Sequence, residues 1–209
     1  VHGCPLLLRW DPATLDAGLA HPSPLLFLLA NTRALGPSEA RSRMRELAAA
    51  LDQALVRARE RGLLDGWLLV SRGDSTLRGH FPLEVEELAA ALGPFDATLL
   101  VPAFLEGGRT TVDGVHRLHG QPVHESDFAR DGLFGYATSY LPDWVEERSG
   151  GRLSAASVQL LSLADLEGDP ARLRQRLAAL ADQVLVAVDA ERPEHLAALA
   201  AALRDLATS

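Results

Sequence analysis

Short apolar runs alternate with longer amphipathic stretches along most of this chain, and that alternation constrains the fold more than any other feature. Pro5–Arg9, Leu25–Ala30, Trp67–Ser71, Ala97–Val101, Ser157–Leu161 and Val184–Val188 read as strands. Leu25–Ala30 is continuously apolar, which predicts a strand buried on both faces. Pro12–Leu19, the stretch from Pro37 to about Arg61, Pro82–Leu92, Pro142–Arg148, Pro170–Ala181 and Pro193–Ala207 read as helices. In the second of these, Met44, Leu47, Leu51, Leu55 and Ala58 share one face, and Gly62 stops the helix. Strands separated by helices predict one α/β domain with a mostly parallel sheet flanked by helices. The rhythm breaks between 102 and about 140. There Arg109–Thr111 and Val115–Leu118 flank Asp113-Gly114, which predicts a β-hairpin insertion after the fourth strand.

Composition narrows the function classes. The net charge is -8, which argues against a nucleic-acid binder. All 20 basic residues are arginine. Genome composition is the simplest origin, but the chemical consequence holds: an anion site must use guanidinium groups, backbone N–H groups or histidine. Cys4 is the single cysteine, which excludes an internal disulfide and fits a reducing compartment, so a cytoplasmic location is expected. No apolar run is long enough for a membrane span, and no signal peptide is visible. The first residue is Val1, so the native start is expected to lie elsewhere.

Parallel α/β sheets bind ligands beyond the carboxyl ends of their strands. Three polar loops fit that position: Asn31–Gly36, Arg72–Gly79 and Pro102–Gly114. In the second, Ser75 and Thr76 offer hydroxyls, Arg72 and Arg78 offer forked donors, and Asp74 offers an acceptor. An ordinary turn capped by Asp74 or Ser75 competes with that reading. In the third, Gly107-Gly108 lets backbone approach a ligand closely and Arg109 stands beside two hydroxyls; a glycine-rich entry into a hairpin is the alternative. Asn31-Thr32-Arg33 also reads as a solvated loop.

Together the loops resemble the four-carbon acid sugar kinase family. The resemblance rests on Asn31-Thr32-Arg33-Ala34-Leu35, the run from Gly73 to His80, and Pro102-Ala103-Phe104 with the run from Gly107 to Thr111. Asp113-Gly114-Val115 and the run from His124 to Asp131 extend it. It implies an ATP-dependent kinase of threonate, erythronate or oxo-tetronate acids, with Mg2+ accompanying the nucleotide. Residues 1–209 would be the N-terminal substrate-binding domain of a two-domain kinase, without the C-terminal nucleotide-binding domain and the extreme N-terminal segment. That segment is rich in aspartate in the family and is a source of the catalytic base. A lysine common before the Asp-Ser-Thr run is replaced by arginine or lost.

On that reading Arg78 and Arg109, with Arg33, hold the substrate carboxylate. Asp74, Ser75 and Thr76 bond its hydroxyls, Gly108 and Thr110 line the site, and Asp74 is the one base candidate within the chain. The expected partner is a small anionic sugar acid, with no nucleic acid and no membrane; a homodimer is allowed. The 209 residues alone are expected to lack kinase activity.

Two other classes compete. A non-catalytic sugar-acid binding module needs the same arginine loops. A GDSL-type serine hydrolase would use Ser75 as nucleophile, but Asn31 is the only asparagine, and Asp189 and His195 have the wrong spacing for its partners. His116 and His119 fall on opposite faces of a strand, so a metal cluster with His124 is not expected. No Gly-x-Gly-x-x-Gly or Walker-type loop exists. Arg72-Gly73-Asp74 matches an adhesion tripeptide, which is too short to use.

Overall fold

The structure is a computed structural model and describes residues 3–207. The chain divides into two compact units, Val1–Ser71 with Leu83–Pro94, and Arg72–Pro82 with Phe95–Ser209.

The first unit holds β1 (Leu6–Leu7), α1 (Pro12–Leu19), β2 (Phe27–Leu28), α2 (Pro37–Glu60) and α3 (Leu83–Leu92). Asp11 caps α1 by accepting the Thr14 N–H at 3.1 Å, and Pro12 opens its first turn. The expected face of α2 is the buried one: Met44, Leu47, Leu51, Leu55 and Ala58 all point inward. Leu51 and Leu55 cluster with Leu15, and Met44 and Leu47 with Leu88. Glu87 on α3 is buried between Arg41 and Arg45 of α2; its carboxylate pairs with both guanidinium groups, at 2.7 Å from Arg45. A buried carboxylate is tolerated because it is paired.

The strands expected in Pro5–Arg9 and Leu25–Ala30 are present but short: β1 and β2 pair in parallel over two residues each. Leu25–Ala30 is not buried on both faces, and Trp67–Ser71 joins no ladder. Both runs alternate instead of burying throughout. Leu28 and Leu69 pack into the apolar clusters, whereas Leu25, Phe27, Leu29, Leu68 and Val70 face outward. A continuous apolar run does not say which side finds a partner.

The second unit holds β3 (Ala97–Leu100), β4 (Arg109–Val112), β5 (Val115–Leu118), β6 (Gln121–Pro122), α4 (Leu141–Ser149), β7 (Gln159–Leu161), α5 (Leu163–Glu167), α6 (Pro170–Ala178), β8 (Val184–Val188) and α7 (Pro193–Ala207). β3, β8 and β7 form a parallel sheet in that order. β8 is central, and its Val-Leu-Val-Ala-Val run alternates between two cores. Val186 and Val188 join Leu166, Leu173, Leu177 and Leu199 of α5, α6 and α7. Ala187 joins Tyr136, Leu141, Trp144 and Val145 on the other face. Both faces are therefore covered, as a parallel sheet requires.

The hairpin forms where Asp-Gly places it. β4 and β5 are antiparallel, with Val112 opposite Val115 and a two-residue turn at Asp113-Gly114. Both turn residues have positive φ, 53° and 72°, as a type I′ turn needs. It follows the third strand, not the fourth, because Trp67–Ser71 does not pair. The buried Asp189 carboxylate, just past β8, accepts both turn N–H groups at 2.9 Å. Burial pushes its carboxyl pKa up, and the bonds from Gly114 and Asp113 oppose that. Thr111 and Ala190 exchange two backbone hydrogen bonds at 2.9 Å. The hairpin is thus fastened to the carboxyl end of the central strand, the end at which such sheets bind ligands.

Candidate functional site

Within the second unit, residues 72–79 form a loop whose carbonyls are gripped from behind. The Ser75 carbonyl lies 2.8 Å from His116 Nε2 on β5. The Thr76 carbonyl accepts the Tyr136 hydroxyl at 2.7 Å. The Gly79 carbonyl accepts an Arg148 N–H at 3.0 Å from α4. Leu77 sits at φ 63°, an unusual position for a leucine, with its side chain buried in the core. The surrounding contacts fix this strained backbone, as they must for it to persist.

The bonds also fix the chemistry of the anchors. A carbonyl only accepts, so His116 Nε2 carries a proton, and Nδ1, 2.9 Å from Thr111 Oγ1, accepts the hydroxyl. Burial holds the imidazole neutral, with its pKa lowered to about 4 against a weaker opposing effect of the Ser75 carbonyl. Burial likewise pushes the Tyr136 phenol to about 12, so it remains a donor.

Asp74 organises the front of the loop. Its Oδ1 accepts the Thr76 N–H at 3.0 Å, and its Oδ2 accepts Arg78 Nε at 2.9 Å and a terminal Arg78 N–H at 2.8 Å. Arg78 Nε also donates to Thr76 Oγ1 at 3.0 Å. The remaining terminal nitrogen lies 3.7 Å from Asp131. Both Asp74 oxygens are thus engaged, and Thr76 is buried. These two residues aim Arg78. Ser75 presents its hydroxyl without an imidazole partner, because His116 serves the Ser75 carbonyl. That geometry does not support a serine nucleophile.

Arg109 opens β4. Its guanidinium lies 5.5 Å from the Phe104 ring centroid and 6.0 Å from that of Phe128. Arg78 lies 4.6 Å above the same Phe128 ring. The two arginines, 31 positions apart in sequence, therefore share one aromatic neighbour. Arg109 makes no ion pair among the described residues, and its buried Nε has no hydrogen-bond partner.

The glycine pair serves this arrangement directly. A Cβ on Gly107 would collide with the Arg109 guanidinium and lie 2.6 Å from the Phe104 ring, and one on Gly108, at φ 67°, would collide with the His119 ring. The close approach anticipated for Gly107-Gly108 is thus made by the chain's own side chains. Strand alternation puts Thr110 on the opposite face from Arg109 and Thr111. Arg33 belongs to the first unit, on an exposed 3-10 turn at Thr32–Ala34.

Sequence reasoning gives no role to four supports. His116 enters it only as a residue not expected to join a metal cluster. Phe128 lay in the stretch from His124 to Asp131 that carried the resemblance, but had no role there. Tyr136 and Arg148 gave no signal, because their partners are backbone carbonyls 60 and 69 positions away. Among the described residues, no three His, Cys, Asp or Glu side chains could hold a metal ion. No helix among them is long and apolar enough to cross a membrane.

Comparison with known proteins places the chain among sugar-binding domains. A family model described as the sugar-binding N-terminal domain matches residues 2–209. A D-threonate kinase of Cupriavidus necator is 38% identical over 141 residues, covering 66% of this chain and 31% of that protein. A D-erythronate kinase of Heliobacterium modesticaldum is 35% identical over 107 residues, 51% of this chain and 22% of that protein. The chain spans about a third or less of the length of these curated relatives. A crystal structure of a domain of unknown function from Bordetella bronchiseptica, a domain-swapped dimer with bound citrate, matches with a TM-score of 0.69. That match is 28% identical and covers 97% of this chain and 45% of the other.

Proposed function

The chain belongs to the family of sugar-binding N-terminal domains, and from that premise we propose that it holds a four-carbon sugar acid for phosphorylation by an ATP-dependent kinase. One observation carries the reading: Arg78 and Arg109 converge on Phe128, and Arg109 keeps a buried Nε–H without an acceptor. A buried unpaired donor costs about 1–3 kcal/mol. A carboxylate arriving at Arg109 satisfies it, and a guanidinium fork suits a carboxylate's two oxygens.

Each residue then has a defined task. Arg109 and Arg78 take the carboxylate. Asp74 and Thr76 keep Arg78 in position, and the Ser75 hydroxyl is available to a hydroxyl of the acid. Asp74 serves as a base only by releasing Arg78, so its task here is orientation. Phosphoryl transfer depends on alignment more than on covalent help from the protein, and alignment of the acceptor is what this unit offers. ATP with Mg2+ is the implied donor. The chemistry assigned to this chain is binding and orientation of the acid. The relatives' printed substrates, D-threonate and D-erythronate, support the substrate class. Citrate, a carboxylate anion, in the Bordetella neighbour supports an anion site, and that neighbour's dimer supports a homodimer. A cytoplasmic location fits an ATP-dependent reaction.

The test is Arg78→Ala in the full-length enzyme. KM for the acid should rise about tenfold or more, the scale of a lost charged hydrogen bond, with KM for ATP unchanged. An unchanged KM for the acid removes the carboxylate role.

A further inference from the structure

Phe128 has no task in the reading above beyond marking where the arginines meet. Its surroundings give it one. It lies on a 3-10 turn, Asp127–Arg130, that is fixed on both sides. The Ser126 hydroxyl donates to the Val123 carbonyl at 2.6 Å; the N–H of buried Ala129 donates to the Ser126 carbonyl at 3.2 Å, and its carbonyl accepts the Tyr136 N–H at 3.1 Å. Past the turn, Asp131 accepts the Leu133 and Phe134 N–H groups at 2.9 and 3.0 Å. The ring therefore stands on a tied support.

Two guanidinium groups lie 4.6 and 6.0 Å from this one ring centroid; like charges repel, and each must be held. Arg78 is held by Asp74 and Asp131. Arg109 has no carboxylate among the described residues; its charge faces the rings of Phe104 and Phe128. The face of an aromatic ring is electron-rich and attracts a cation within about 6 Å of its centroid. Unlike a carboxylate, the ring orients a guanidinium without occupying its N–H donors, which stay available to a ligand.

We propose that Phe128 is a positioning residue for acid recognition, its ring holding the Arg78 and Arg109 guanidinium groups in register so that one substrate carboxylate receives donors from both. This rests on the sugar-acid reading and names the feature that makes two repelling cations usable together. The inference concerns the ring's charge distribution, not only its size. Phe128→Leu removes the electron-rich face, and Phe128→Tyr keeps it. Replacing Phe128 with 3,4,5-trifluorophenylalanine keeps the shape and weakens the face.

The experiment uses the full-length enzyme with D-threonate and D-erythronate as acceptors. The trifluoro variant should raise KM for the acid roughly two- to tenfold, with kcat, KM for ATP and melting temperature unchanged. Phe128→Tyr should stay near the parent enzyme. If the trifluoro variant leaves KM for the acid unchanged, Phe128 is packing alone and the inference is overturned, whatever Phe128→Leu does. Arg109→Ala in the same series separates the two claims. If it raises KM for the acid while the trifluoro variant does not, only the role of Phe128 falls. If neither Arg109→Ala nor Arg78→Ala changes KM for the acid, the sugar-acid reading falls with it.

Discussion

The turn that carries Arg33 and the loop that carries Arg78 are written in similar residues: a polar residue, a hydroxyl and an arginine after an apolar run. In the first unit the hydroxyl of Thr32 turns inward to Glu84, the turn closes with a Leu35 N–H to Thr32 carbonyl bond of 2.9 Å, and Arg33 is exposed. In the second unit the loop is clamped through three carbonyls by His116, Tyr136 and Arg148, and Arg78 is aimed by Asp74 and Thr76. The difference lies in the distant side chains that grip three loop carbonyls, and in the Asp74 and Thr76 contacts that aim Arg78 within the loop. An arginine becomes a defined recognition group when the backbone under it is fixed, because preorganisation lowers the ordering cost of binding.

The largest expected effect tests the clamp. The His116 pKa is about 4 in the folded protein and 6.5 in an unfolded chain. As pH falls from 6.5 toward 4, the unfolded state takes up the proton first, so stability falls across that window and is unaffected by this group above it. The full loss is roughly 3 kcal/mol, at 1.36 kcal/mol per pH unit. In His116→Gln this titration is gone, and the decline in melting temperature of the full-length protein between pH 7 and pH 5 should be shallower. Parallel profiles would show that His116 is not the buried neutral clamp described. Next in size is Gly107→Ala. Its Cβ displaces the Arg109 guanidinium and crowds Phe104, so affinity for the acid should drop several-fold to tenfold by calorimetric titration. Unchanged affinity would mean that the position of Arg109 does not matter. The smallest effect is expected for Arg33→Ala, a change in affinity of no more than about twofold, as is usual for surface substitutions. A loss equal to that of Arg78→Ala would erase the contrast between the two loops.

Much of this was legible in the sequence, for identifiable reasons. α2 and α7 follow from periodicity with Pro37 and Pro193 at their starts, and the β4–β5 turn follows from Asp113-Gly114, because only a few residues tolerate two successive positive φ angles. Arg78 and Arg109 stood out through their neighbours. Trp67–Ser71 failed because pairing depends on a partner strand that a local pattern cannot supply. The clamp was invisible because its acceptors are backbone carbonyls, which carry no residue signature. Thr110 misled because adjacency in sequence reverses face along a strand.

The most direct test of the central claim is a crystal structure of the full-length enzyme with D-threonate or D-erythronate bound. The account predicts the acid's carboxylate within about 3 Å of guanidinium nitrogens of both Arg78 and Arg109. A carboxylate bound elsewhere, with both arginines still seated against Phe128 and untouched by ligand, would contradict it.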